Sequence, residues 1–172
     1  KRAHIIVVTK CPVDLTSEKQ QNIKIKLKAT QQQHVFFSNI KYYNSTSGFL
    51  NIPLESLSDY EILLVTGIAN PAPLASFIKA KANKVHHLIY SDHHHFSSKE
   101  IDIMITKYAA ITSEKKILLT TEKDYMRLSG KISFLSYLEM STNFMECDSQ
   151  FIDSVKLFLN ETFFHFHTVD GS

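Results

Sequence analysis

Short apolar runs alternate along the chain with segments whose apolar residues recur every three or four positions. Runs such as Ile5-Ile-Val-Val8 are apolar on both faces, which is typical of strands buried inside a sheet. Runs of this kind predict six strands, over residues 5–8, 34–40, 61–66, 85–90, 117–119 and 132–138.

Signals for helix starts stand between these strands. Ser97 and Glu100 form a capping box, and Ile101, Met104 and Ile105 continue it with helical spacing. Similar signals predict helices that begin near residues 16–17, 71, 122 and 148–149. The alternation of strands and helices predicts an α/β fold, with a mainly parallel open sheet and helices on both of its faces.

One segment departs from that alternation. The stretch from Asn44 to Gly48 is rich in turn-forming residues and lies between two β-prone runs. We therefore expect a turn there, within a small antiparallel ribbon near residues 41–54. The pattern as a whole predicts a single α/β domain over residues 1–172, a length sufficient to bury a core.

Composition excludes several classes of protein. The 19 basic and 17 acidic residues give a net charge of +2, which provides no basic face for nucleic acid. Two cysteines form no disulfide framework, so a reducing compartment is expected. No apolar run approaches the roughly 20 residues that span a bilayer, so we expect a soluble chain.

The start of the chain is also informative. Lys1, Arg2 and Ala3 lead directly into the first predicted strand, without an initiator methionine. Whole domains seldom begin one step before a buried strand, so this start predicts a portion of a longer protein.

Residues of unusual chemistry follow the ends of the predicted strands, where ligands bind in parallel sheets. Thr9 and Lys10 follow the first strand, and the stem of Lys10 can lie on a planar base while its ammonium stays hydrated. Gly67 and Asn70 follow the third, where glycine allows close approach of a ligand and a helix start favours anions. An ordinary strand end explains the first pair equally well, and helix capping alone explains Asn70.

The loop of residues 92–95 carries an aspartate followed by three histidines. Asp92 and His93 are candidates for general acid–base chemistry, because histidine titrates near neutral pH and a neighbouring carboxylate can orient it. Two alternatives stay open: a metal-binding or interaction module built on this loop, and a solvated polar loop. Adjacent side chains diverge, which disfavours three consecutive histidines on one ion, and we assign no metal ligand.

Lys123 lies in the sequence TTEKD of residues 120–124, where threonines end a strand and charged residues begin a helix. The helix dipole accounts for Glu122 and Asp124, and it leaves Lys123 unexplained. We therefore include Lys123 among the candidate binding residues.

The sequence contains no P-loop for cradling phosphate. That motif requires a glycine, four residues, and then Gly-Lys-Ser/Thr. Gly130 and Lys131 are followed by Ile132, and Tyr125 stands at the position of the first glycine.

Four segments, taken in order, resemble one family of enzymes. They are VVTKCP at residues 7–12, VTGIANP at 65–71, DHHHF at 92–96 and TTEKD at 120–124. They resemble the C-terminal half of tetraacyldisaccharide 4′-kinase, the lipid A 4′-kinase of Gram-negative bacteria. The additional His94 and His95 resemble the Bacteroidetes variants, and the resemblance covers roughly residues 3–128.

The resemblance implies a phosphotransferase of lipid A and lipopolysaccharide biosynthesis. It implies a kinase that uses ATP and magnesium to phosphorylate the 4′-hydroxyl of a tetraacyldisaccharide 1-phosphate, as a peripheral enzyme on the cytoplasmic face of the inner membrane. In that family the P-loop, the catalytic aspartate, the magnesium motif and the membrane-binding segment lie in an N-terminal lobe, upstream of the part seen here.

The chain is therefore expected to be the second lobe of a two-lobed, P-loop-kinase-like enzyme, and to be inactive alone. The resemblance makes His93, in its Asp92-His93 motif, the residue that assists the catalytic aspartate. We expect the nucleotide contacts of this lobe among Thr9, Lys10, Gly67, Asn70 and Lys123.

Overall fold

The computed structural model describes residues 3–146 and 148–166, so Cys147 lies outside the described part. In that part the chain forms six β-strands, five α-helices and one 3-10 helix. In chain order they are β1 Ile5–Val8, α1 Ser17–Leu27, β2 His34–Gly48, the 3-10 helix Leu54–Asp59, β3 Glu61–Thr66, α2 Ala72–Lys79, β4 Lys84–Ile89, α3 Ser98–Ala109, β5 Lys116–Thr121, α4 Glu122–Leu128, β6 Leu135–Phe144 and α5 Asp148–Phe166. The predicted α/β class is confirmed. No helix among these is long and apolar enough to cross a membrane.

The chain divides into two compact units. Unit 1 comprises residues 1–41 and 141–172, and unit 2 comprises residues 42–140. In unit 1, β1 pairs in parallel with β2, so that Ile5 lies opposite His34 and Val8 lies opposite Phe37. The single domain expected over residues 1–172 stays a prediction.

Unit 2 contains a parallel sheet with the strand order β6-β5-β3-β4. Alternate residues of β3 enter two different cores. Ile62 and Leu64 pack with Leu74 of α2, and Leu63 packs on the opposite side with Met104 of α3. All of these side chains are almost fully buried. The mainly parallel sheet with helices on both faces is therefore confirmed in this unit.

The antiparallel ribbon is present, but its turn is not where the sequence predicts it. β2 runs without interruption through Asn44 to Gly48, and the chain turns back only afterwards. Ser45 then forms an antiparallel bridge with Pro53, and the N–H of Thr46 donates to the carbonyl of Ile52 at 2.9 Å. The fully buried Thr46 hydroxyl bonds within this return, so its polar group does not need a solvated turn.

Most predicted helix starts are confirmed. The Thr16 hydroxyl accepts from Lys19 N at the start of α1, and Ser97 and Glu100 form the expected capping box at α3. The α2 helix begins at Ala72, so Pro71 is its N-cap rather than its first residue. The last predicted strand is displaced, because a turn occupies residues 130–134 and β6 runs from Leu135 to Phe144.

Candidate active site

A reversal of strand order in unit 2 marks the place where a binding crevice is expected, at the carboxyl edge of the sheet. The chain leaves β3 into α2, which packs on the Ile62 side, and it leaves β5 into α4, whose Leu128 packs on the Leu63 side. β3 and β5 are neighbours, so their following helices diverge to opposite faces. Ligands of open α/β sheets bind outside the carboxyl ends of strands at such a point.

One buried carboxylate, that of Asp124, links the turn after β3 to the start of α4. Asp124, in the first turn of α4, is fully buried, and its Oδ2 accepts the backbone N–H of Gly67 at 2.7 Å. The same oxygen accepts the Thr121 hydroxyl at 3.0 Å, and the Asp124 N–H donates to Thr121 Oγ1 at 3.2 Å. Thr121 therefore caps α4 while Asp124 fastens the turn after β3.

Gly67 is required by this packing. A Cβ at Gly67 would lie 3.0 Å from Asp124 Oδ1 and 3.4 Å from Cζ of the Phe96 ring. The sequence indicates a tight turn or close approach of a ligand at Gly67, whereas the group that the structure places against its backbone is the Asp124 carboxylate. A nucleotide contact of Gly67 stays a prediction.

The Asp92–His93 pair lies on the neighbouring loop, after β4. Asp92 Oδ1 accepts from Lys123 Nζ at 2.7 Å, and His93 Nε2 lies 3.6 Å from Asp92 Oδ2. The His93 side chain is 75% exposed. Its backbone is left-handed, with φ 57°, a conformation that non-glycine residues seldom adopt and that recurs at functional sites.

Lys123 also favours the ionised form of Asp92. Its hydrogen bond is the main cause that lowers the pKa of the Asp92 carboxyl below its usual value. Asp92 is consequently an anion at neutral pH, able to orient an imidazole. The sequence leaves the role of Lys123 unexplained. In the structure, Lys123 forms an ion pair with Asp92.

Arg127 lies one helical turn beyond Lys123 and faces the same loop. Its Nη2 is 3.5 Å from His93 Nδ1, and its Nη1 is 3.6 Å from Asp124 Oδ1. A single helix, α4, therefore places three charged side chains against the Gly67 turn and the His93 loop. Sequence reasoning assigned Asp124 only to the helix dipole and did not select Arg127, although the i, i+3 spacing of this pair is visible in the sequence.

His94 has a different environment from His93. Its Nε2 lies 2.8 Å from Glu100 Oε1, and its ring lies 4.9 Å from the Tyr90 ring and 5.1 Å from the Phe96 ring. His95 is exposed. The expectation that the three histidines face different surroundings is confirmed, and His94 fastens the loop to the start of α3.

The remaining predicted site residues are exposed. Asn70 Oδ1 accepts the Ala72 N–H at 3.3 Å, which is a capping contact at the start of α2. Thr9 and Lys10 belong to unit 1, where Lys10 has a left-handed backbone with φ 57°. Nucleotide contacts of these residues stay predictions.

The described residues contain no group of three histidine, cysteine, aspartate or glutamate side chains that could hold a metal ion. On the loop of residues 92–95, His93 faces Arg127 and Asp92, whereas His94 faces Glu100. The histidines of this loop thus have separate partners rather than a common centre.

Comparison with known proteins identifies the family. The sequence profile of the family described as LpxK, tetraacyldisaccharide-1-P 4′-kinase, matches residues 1–159. The chain belongs to this family. The resemblance carried by the four sequence segments is thereby confirmed.

Curated relatives carry the same name. A tetraacyldisaccharide 4′-kinase of Flavobacterium johnsoniae is 36% identical over 167 residues, which cover 93% of this chain and 46% of the relative. A tetraacyldisaccharide 4′-kinase of Bacteroides thetaiotaomicron is 36% identical over 138 residues, which cover 74% of this chain and 36% of the relative. This family member therefore spans less than half the length of these relatives, and it corresponds to their C-terminal part.

A solved structure is also similar. It is a crystal structure of LpxK from Aquifex aeolicus, described as an "apo" form in complex with ATP. The similarity covers 88% of this chain and 51% of that one, with 14% sequence identity and a TM-score of 0.49.

Proposed function

We propose that this chain is the C-terminal part of an ATP-dependent kinase that phosphorylates the 4′-hydroxyl of a tetraacyldisaccharide 1-phosphate. The observation that supports it most is the Asp92–His93 loop at the crevice, found in a chain of this family. Phosphoryl transfer depends mainly on positioning and charge stabilisation, which are the properties that charged side chains at such an edge provide.

In this proposal His93 and Asp92 are the catalytic residues of the lobe. Asp92, ionised by its pairing with Lys123, orients the imidazole, and the exposed ring of His93 is free to approach a carboxylate supplied by the rest of the enzyme. His93 then holds that carboxylate in place by a hydrogen bond and tunes its basicity, while the carboxylate takes the proton of the attacking substrate hydroxyl.

The nucleotide contacts proposed for this lobe are Thr9, Lys10, Gly67, Asn70 and Lys123. Four of these five residues are exposed, which suits contact with a ligand, whereas Gly67 offers only its backbone. ATP supplies the transferred phosphoryl group, and we assign its phosphates and the magnesium ion mainly to an N-terminal lobe with a P-loop. Attachment to the cytoplasmic face of the inner membrane is assigned to the same lobe.

The test uses the longer protein that contains this chain, purified in detergent. Transfer of labelled phosphate from ATP to a tetraacyldisaccharide 1-phosphate is measured for the wild type and for His93→Ala. We expect transfer that depends on the lipid acceptor and is reduced by the substitution. An exposed acidic residue of α4 supplies the matched control, Glu122→Gln, which should keep wild-type transfer. Absence of lipid phosphorylation by the wild-type protein would contradict the proposed function.

A further inference from the structure

Asp124 has features that a simple helix-capping residue does not need. Thr121 already caps α4, yet Asp124 is fully buried as well and reaches across to the loop after β3, 57 residues away in sequence. Its two oxygens differ. Oδ2 accepts two hydrogen bonds, whereas Oδ1 is buried without a hydrogen-bond partner.

The direction of Oδ1 explains this asymmetry. It faces Arg127 Nη1 at 3.6 Å, and that nitrogen is likewise buried without a hydrogen-bond partner. A buried carboxylate is strongly unfavourable without a counter-charge, so Asp124 and Arg127 restrain each other. The other terminal nitrogen of Arg127 lies 3.5 Å from His93 Nδ1. Asp124 therefore reaches the histidine through one intervening side chain.

We propose that Asp124 is a positioning residue that couples the Gly67 turn to His93 by way of Arg127. The proposal rests on the proposed function, in which His93 is catalytic. Asp124 does not touch the reacting atoms. It links the turn after β3 to the start of α4 at the point where the strand order reverses, and its charge holds the Arg127 guanidinium against the Nδ1 side of the imidazole. The Nε2 side of the ring is thereby left to face Asp92 and an incoming partner.

Asp124→Asn separates the two sets of contacts that Asp124 makes, those of Oδ2 with Gly67 and Thr121 and that of Oδ1 with Arg127. The amide oxygen of asparagine can still accept the Gly67 N–H and the Thr121 hydroxyl. Its NH₂ group then points at Arg127, where a donor faces a donor and the ion pair is lost. We expect kcat of the longer enzyme to fall about 10-fold, because small misplacements of catalytic groups are costly, while KM for ATP stays within about 2-fold.

Arg127→Gln and the double variant complete a thermodynamic cycle. If Asp124 acts through Arg127, the second substitution adds little to the first. The kcat of the double variant should then lie within about 2-fold of that of the less active single variant. Effects of the two substitutions that multiply would overturn the coupling. Glu122→Gln, on the exposed side of the same helix, is the matched control and should leave kcat unchanged.

A second measurement does not depend on activity. In nuclear magnetic resonance spectra of this 172-residue chain, Asp124→Asn should shift the His93 ring signals, and Glu122→Gln should not. Should Asp124→Asn fail to fold, Gly67→Ala takes its place, because the new Cβ lies 3.0 Å from Asp124 Oδ1 and displaces the carboxylate. Unchanged His93 signals in a folded variant overturn the inference, whereas an inactive wild-type enzyme contradicts only the proposed function.

Discussion

At the scale of single residues, the three consecutive histidines are distinguished by backbone and partner rather than by type. His93 is the one in a left-handed conformation, and it projects an exposed ring from a loop that Lys123 and Asp92 hold. His94 is enclosed by Glu100 and two aromatic rings. The His93 ring is thus accessible to a partner, whereas His94 holds the loop against the start of α3.

For the longer enzyme we predict that His93→Ala lowers kcat more than it raises KM for ATP. A general acid–base group contributes about 10²–10⁴-fold, and a residue that supports another base belongs at or below the lower end, so we expect roughly 10- to 100-fold. Steady-state kinetics with varied ATP separate the two constants. His95→Ala, at an exposed position two residues away, is the control. Equal losses in all three histidine variants would instead favour a shared metal.

His94→Ala should affect stability more than chemistry. The substitution removes two aromatic contacts and a hydrogen bond to Glu100, and the lost aromatic contacts alone should lower the free energy of unfolding by about 1–2 kcal/mol. Its kcat should remain well above that of His93→Ala. Denaturant unfolding followed by circular dichroism measures the first effect. A variant as stable as the wild type but as slow as His93→Ala would contradict this assignment.

The sequence allowed the Asp92–His93 pair to be selected, because adjacency and position after a strand are local properties. It did not allow the partner of Asp124 to be selected. Gly67 lies 57 residues away, and only the strand order brings its N–H to the carboxylate. Likewise Lys123 could be singled out as unexplained, but its contact with Asp92 depends on how the loop after β4 lies against the start of α4.

At the scale of elements, local signals were reliable where one side chain bonds its own helix. The Ser97–Glu100 capping box is such a case, and it was predicted correctly. The segment from Asn44 to Gly48 shows the opposite. Its turn-forming residues stay in β2 because the Thr46 hydroxyl bonds the returning chain at Leu50 and the Ser47 hydroxyl donates to the distant Glu139 at 2.8 Å. Tertiary hydrogen bonds override turn propensity there.

The α3 capping box should make stability depend on pH. Hydrogen bonds from Ser97, first from its backbone and then from its hydroxyl, lower the pKa of Glu100, with a smaller contribution from His94. A carboxyl whose pKa is lower in the folded state stabilises the fold above its unfolded pKa, and this contribution is lost as pH falls through the folded value. We therefore expect the stability advantage of the wild type over Glu100→Gln to shrink on acidification.

The measurement is the free energy of unfolding of both proteins from about pH 7 to about pH 3. Glutamine retains the geometry of the box, so the difference isolates the charge. Glu122→Gln, exposed in the first turn of α4, controls for the loss of any acidic residue near a helix start. A difference that stays constant as the pH is lowered would show that the carboxylate charge of Glu100 is not the cause.

At the scale of the molecule, alternation of strands and helices was sufficient to predict a parallel sheet, whereas the order β6-β5-β3-β4 was not predictable. That order depends on which apolar faces pack together, such as the Ile62 side of β3 with α2. The crevice follows from the order, because the helices after β3 and β5 diverge there. The sequence therefore indicated which residues follow the strand ends, but it did not indicate that β3 and β5 are neighbours.

The chain alone should show no measurable kinase activity. It contains no P-loop, so no backbone cradle holds the β- and γ-phosphates. What it contributes, on our proposal, is a charged edge that orients His93, and orientation without a bound phosphoryl donor accelerates nothing. The measurement is ATP turnover by the purified chain, with and without the lipid acceptor, beside the longer enzyme as a positive control. The His93→Ala chain distinguishes a contaminant, because contaminating turnover would be equal in both preparations. Turnover that survives repurification and is lost in His93→Ala would mean that this lobe carries a complete site of its own.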